Sequence, residues 1–156
     1  MSDEDIGVYM HVDGFEKFDS GFDFNKREVR NAMQRAGRIV RDEARALLSR
    51  GGPSRPGEYP GRRTGKLSRA IRAKTSRSGF LVRVQPKTGA ALPMPYFAYL
   101  HYGVRRGAKR RRDRQAQPSG PYRIAPRANY MQDALQRRAS DVREILSNAL
   151  RAALNT

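Results

Sequence analysis

Three groups of residues have types and spacing that could do chemistry. The first is Gly61-Arg-Arg-Thr-Gly65-Lys66, which has the outline of a phosphate-cradling loop. Such a loop needs one more residue between its glycines, a Ser or Thr after the lysine to hold Mg²⁺, and a preceding strand. Here Leu67 stands where the hydroxyl is required, so nucleotide binding is not expected. The second group is the pair of histidines, His11 and His101; without cysteine, and with few acids nearby, they make a poor metal set. Acid–base or nucleophilic catalysis needs a base paired with a nucleophile or a second carboxylate. Most of the acids lie in the first 25 residues or at solvent-facing helix positions, and no such constellation forms. The expectation is no enzyme activity, no metal and no cofactor.

The third group is basic: Arg105, Arg106, Lys109, Arg110, Arg111, Arg112 and Arg114, against the lone Asp113. Guanidinium groups offer planar donors that suit phosphate and carboxylate oxygens. Contacts of that kind to nucleic acid are independent of base sequence and weaken steeply with salt. No glycine-aromatic nucleic-acid module surrounds the run, so base reading is not expected. The site expected here contacts DNA or an acidic partner protein.

Charge over the whole chain agrees. The 156 residues carry a net +17, and the charge is unevenly spread. Residues 1–25 hold seven acids and one lysine, so the remainder carries a net +23. That excess repels itself and draws polyanions, nucleic acid first among them. A chain of this length buries enough surface for one core without staples. It has no cysteine, hence no disulfide, and no apolar run long enough to span a membrane. The acidic start Ser2-Asp-Glu-Asp5 is unlike a secretory leader, so synthesis in the cytosol is expected.

Local rules then place the elements. Residues 6–12 read as a strand, followed by a loop holding Phe15, Phe18, Phe22 and Phe24 as aromatic plugs. Asn25 and Glu28 have capping-box spacing. The helix that follows carries Val29, Ala32, Met33, Ala36, Val40, Ala44, Leu47 and Leu48 at 3–4 spacing and ends at Gly51-Gly-Pro53. The Pro- and Gly-punctuated segment 53–63 is expected to be a shaped loop rather than a floppy one. Thr64 would cap a short helix over Lys66–Ile71. Runs 70–76 and 80–85 read as strands joined by Arg77-Ser-Gly79. Tyr96–Tyr102, closed by Gly103, suggests a short buried helix, and residues 104–121 a basic arm with little apolar content. Tyr122-Arg-Ile124 returns as a short strand. Asn129 and Gln132 then start a second long amphipathic helix whose stripe runs from Tyr130 to Ala153. The fold class expected is α+β: a small antiparallel or mixed sheet packed against two long amphipathic helices, with an extended basic loop. Residues 1–25 form an acidic strand and aromatic loop, and residues 26–156 a single domain with the arm at 104–121.

Three of these segments carry a resemblance. The Pro-Gly loop leading to Thr64-Gly65-Lys-Leu67 and Ile71 resembles the neck or tail-completion proteins of long-tailed phages, where such a loop precedes Thr-Gly-x-Leu-x-x-Ser-Ile. Pro95-Tyr96-Phe-Ala-Tyr99-Leu-His-Tyr102-Gly103 is similar to that family's Tyr-Ala-x-x-x-Glu-aromatic-Gly-Thr, and Ala125–Leu135 is similar to the start of its last helix. Order and spacing agree across residues 26–150. The chain departs from the pattern at Ala70, His101 and Val104, where the family has Ser, an acid and Thr. The resemblance implies a non-enzymatic virion protein at the head–tail neck. It implies a homo-oligomeric ring, commonly six-fold, with partners in the head connector or stopper and the tail terminator or tail tube, and with double-stranded DNA passing through its lumen. On this reading Thr64, Gly65 and Leu67 build the turn that seats the short helix, and Tyr96, Tyr99 and Tyr102 pack it. The alternative left open is a free nucleic-acid-binding protein that ignores base sequence.

Overall fold

A computed structural model describes residues 7–11, 25–90, 92–93, 96–106 and 120–154. Phe15, Phe18, Phe22 and Phe24, and Lys109, Arg110, Arg111, Arg112 and Arg114 of the basic run, lie outside the described residues.

Helix α1 (Lys26–Leu47) is the hub of the fold. Its start follows the capping box: the Asn25 side chain accepts a hydrogen bond from the Glu28 N–H at 3.4 Å. The apolar stripe faces inward, with Val29, Met33, Ala36, Val40 and Ala44 all but inaccessible to solvent. One side of α1 lies on a three-stranded antiparallel sheet built from β1 (Val8–His11), β2 (Ile71–Thr75) and β3 (Leu81–Pro86), in the order β1-β3-β2. Burial alternates along β3, so Val82 and Val84 face α1 while Leu81, Arg83 and Gln85 face away. The register pairs Ala73 with Val84 and Met10 with Val82. The expected hairpin link is present: Ser76 N–H donates to Leu81 O at 2.8 Å and Gly79 N–H to Ser76 O at 3.2 Å.

The fold class is α+β with a small antiparallel sheet, as the periodicities predict. The helix packing is more particular. The stripe from Tyr130 to Ala153 is divided into α4 (Tyr130–Arg137) and α5 (Ala139–Leu154). Backbone bonds continue on both sides of Arg138, from Arg138 N–H to Ala134 O and from Val142 N–H to Arg138 O, so the division is a kink. No Pro or Gly marks it in the sequence. Arg138 is held there by Glu43 of α1, at 2.8 Å, and by Asp141, at 3.1 Å. Bending at this point lets α4 and α5 both lie along α1, and α4 also reaches β1. The second long helix is therefore stacked chiefly on α1.

A buried glycine sets the distance between α1 and the sheet. A Cβ on Gly37 would lie 2.5 Å from Val82 Cγ1 and 3.3 Å from Ala73 Cβ. Alanine would be the better helix former by about 1 kcal/mol, but overpacking costs roughly 1–3 kcal/mol. Gly37→Ala should therefore lower stability in urea titration by up to about 2 kcal/mol; a raised midpoint would mean that helix and sheet are less closely apposed.

Candidate functional site

The loop between α1 and the next helix is held in shape by its own backbone. Arg62 N–H donates to Arg50 O at 2.7 Å, forming a parallel bridge between Gly51 and Arg62. The loop tip is tied to a segment nearly seventy residues away in sequence: Gly57 N–H donates to Pro126 O, and Ala128 N–H to Glu58 O at 3.1 Å. The Tyr59 hydroxyl donates to Asp133 Oδ2 at 2.7 Å, and that bond raises its pKa by favouring the protonated phenol. The expectation of a shaped loop holds.

Helix α2 (Lys66–Ala70) begins one residue later than a Thr64 cap requires. Its cap position is Gly65, at φ +68° and with no side chain to offer. Thr64 Oγ1 accepts instead from the Lys66 N–H at 3.4 Å. At its other end α2 is closed by Arg45 of α1, which donates from Nε to Ser68 O and from Nη2 to Ile71 O. Leu67 of α2 is buried in the core.

Helix α3 (Tyr96–Tyr102) is short and buried as expected, but its anchor is Phe97, at 1% exposure. Tyr96 and Tyr102 pack on the core from its margin, and Tyr99 is half-buried. Burial raises the Tyr96 phenol pKa, with a hydrogen bond from the Leu67 backbone working against the shift. Tyr130 is pushed up much further, first by burial and then by the neighbouring Tyr96. His101 stands edge-on to Tyr102, with ring centroids 4.7 Å apart, and burial holds its imidazole below the ordinary value. His11 is exposed on β1, opposite Leu81. Among the described residues no three His, Cys, Asp or Glu side chains gather as a metal site would need. No helix among them is long and apolar enough to cross a membrane.

The three motif segments, well separated in sequence, converge on one cleft. Its lining includes Thr64, Gly65 and Leu67 from the first, Tyr96 and Leu100 from the second, and Arg127 from the third. The cleft has a volume of about 350 Å³. Arg62 and Arg63 also line it, together with Ser54 and Ser68. Arg127 N–H donates to Leu100 O at 2.8 Å, which fixes the third segment against the end of α3. In its side chain, however, Nε and Nη1 are buried with no hydrogen-bond partner among the described residues. The resemblance singled out Thr64, Gly65 and Leu67, as builders of the turn that seats α2, but not Arg62, Arg63 or Arg127. No periodicity marks them, because their proximity arises only from folding.

The first residues expected of the basic arm are paired with another strand. Val104–Arg105 forms β4, which pairs antiparallel with β5 (Tyr122–Ile124) through an irregular register. Arg106 N–H extends the ladder by donating to Pro121 O at 2.9 Å. Arg105 is part of the fold rather than of an extended arm: it donates from Nη1 to Gly120 O at 2.8 Å and from Nη2 to the Tyr122 hydroxyl, and its guanidinium lies 4.3 Å from the Tyr122 ring centroid. Arg106 is exposed. Cation–π contacts at exposed sites contribute roughly 0.5–1 kcal/mol. Arg105→Ser should therefore speed amide exchange in β5 severalfold, whereas Arg106→Ser should leave it unchanged. Equal effects from the two would remove the distinction.

No family model, curated protein or solved structure matches this chain.

Proposed function

We propose that this protein is a structural subunit of the head–tail junction of a long-tailed phage or prophage, a neck or tail-completion protein without enzymatic activity. The observation that carries this reading is the convergence of the three motif segments on one cleft, with the loop backbone bonded to the segment before α4. Motif residues scattered at random over the fold would have given the resemblance no physical unit.

Further features suit the role. Among the described residues, β1 and β2 each leave one side of the sheet unpaired, and an open edge is available to a neighbouring subunit. Head-to-tail contacts of one surface with a different one close into a ring when the rotation permits. The ring would join the head connector or stopper to the tail terminator or tail tube. Its basic residues, Arg106 and the run beyond it, would face DNA in the channel or acidic neighbours. The protein would reside in the virion neck, after assembly in the host cytoplasm.

The test is composition and assembly state together. Native mass spectrometry of the purified protein should find a closed ring, six-fold by the resemblance, and labelled protein should appear at the neck of virions in negative-stain images. A monomer absent from virions would overturn the reading. If that monomer bound duplex DNA tightly, with log affinity falling by about 0.9 per phosphate contact against log salt, it would be a free nucleic-acid-binding protein.

A further inference from the structure

We propose that the cleft between the Pro-Gly loop, α2 and α3 is a phosphate-binding site, with Arg127 as its anchor and Arg62 and Arg63 as its flanking cations. Among the described residues, three arginines line it and no Asp or Glu does. Like charges drawn round one small concavity repel one another unless an anion lies among them. The Arg127 side chain supplies the more pointed observation. Its Nε and Nη1 are buried without an acceptor among the described residues, although Arg127 lines a cleft of about 350 Å³. Buried N–H donors on a cation are costly when unpaired, and an ion that supplies the acceptor is one explanation such a group calls for.

The chemistry of the lining favours phosphate over a carboxylate. Ser54, Thr64 and Ser68 add hydroxyls beside the guanidinium groups. A phosphomonoester presents about −1.5 to −2 charges and three strong acceptor oxygens, enough to engage several donors at once. A carboxylate brings two oxygens and a single charge. The volume lies at the small end of the roughly 300–1,000 Å³ usual for ligand sites, which leaves room for the group that carries the phosphate. Free phosphate and the terminal phosphate of a nucleic-acid strand share this chemistry. The inference does not rest on the neck reading, since it concerns the isolated chain.

Calorimetric titration of the full-length protein with inorganic phosphate, at ionic strength held constant with chloride, tests it. Saturable binding is expected, weakened at least tenfold by Arg127→Met and by the double change Arg62→Ser with Arg63→Ser. Arg38→Ser, an exposed position on α1 away from the cleft, removes a charge without touching the lining and should leave affinity within twofold. The double variant keeps the test open if Arg127→Met does not fold. Competition by a short oligonucleotide carrying a 5′-phosphate, but not by its unphosphorylated twin, would identify a strand end as the source. Competition by neither would identify free phosphate or a small phosphoester. The proposal is overturned by an absence of saturable binding, by equal loss in Arg38→Ser, or by a glutamate-rich peptide that displaces phosphate more effectively than either oligonucleotide.

Discussion

Phe97→Ala is expected to lower unfolding free energy by about 3–5 kcal/mol, the usual cost of truncating a buried phenylalanine. Phe97 is 1% exposed and is among the largest fully buried side chains in the molecule. It is the residue through which the seven-residue α3 docks on the core. A helix this short has too few internal bonds to persist alone, so its stability is almost wholly tertiary. The loss therefore extends past the cavity itself: α3 releases Leu100, whose carbonyl accepts the Arg127 N–H, and with it one wall of the cleft. Tyr99→Ala, at a half-buried position of the same helix, should cost about 1 kcal/mol, as ordinary substitutions do. Urea unfolding of the two variants provides the comparison. A loss below about 1 kcal/mol for Phe97→Ala would mean that α3 is not docked as described.

The second large effect is expected at Gly103, which closes the aromatic helix. Its φ is +72°, in the left-handed region that costs other residues roughly 1–2 kcal/mol. A Cβ there would also lie 2.9 Å from each of Ile124 O, Pro126 Cδ and Tyr122 Cε1. The Tyr122 ring is exposed and can give way, but Ile124 O is backbone and Pro126 Cδ is fixed by its ring, so neither of those can swing aside. Overpacking adds about 1–3 kcal/mol, and Gly103→Ala should be correspondingly destabilising, with the β4–β5 hairpin displaced. Were alanine tolerated at this φ, the substitution would instead gain about 0.4–1 kcal/mol by restricting the unfolded chain. The sign of the change in urea midpoint distinguishes the two outcomes.

These two positions show what can and cannot be read from residue order. Gly103 is legible, because a glycine ending an aromatic run predicts a turn. That the turn also packs against β5 is not. The tyrosines of the run attract notice as packing residues, yet Phe97 between them holds the core, since a seven-residue helix buries only the one or two positions its docking angle selects. Arg105 reads as the first residue of a basic arm, but Tyr122 and Gly120 across the hairpin draw it into the fold. Thr64 reads as a cap, but the turn at Gly65 gives that position to the glycine.

What the amino-acid order determined alone is local: the Asn25–Glu28 and Asn129–Gln132 caps, the apolar stripe of α1, the alternation of β3 and the link after Ser76. Each depends on bonds or periodicities spanning a few residues, so each is readable without knowledge of the rest of the chain. Tertiary structure decided the kink at Arg138, the glycine contact of α1 with Val82, and the gathering of Arg62, Arg63 and Arg127 around one cleft. Glu43 and Arg138 are 95 residues apart, and no local preference announces a partner at that distance. Such contacts become favourable only after the core has brought the segments together, because the chain entropy lost in closing so long a loop exceeds what one ion pair returns.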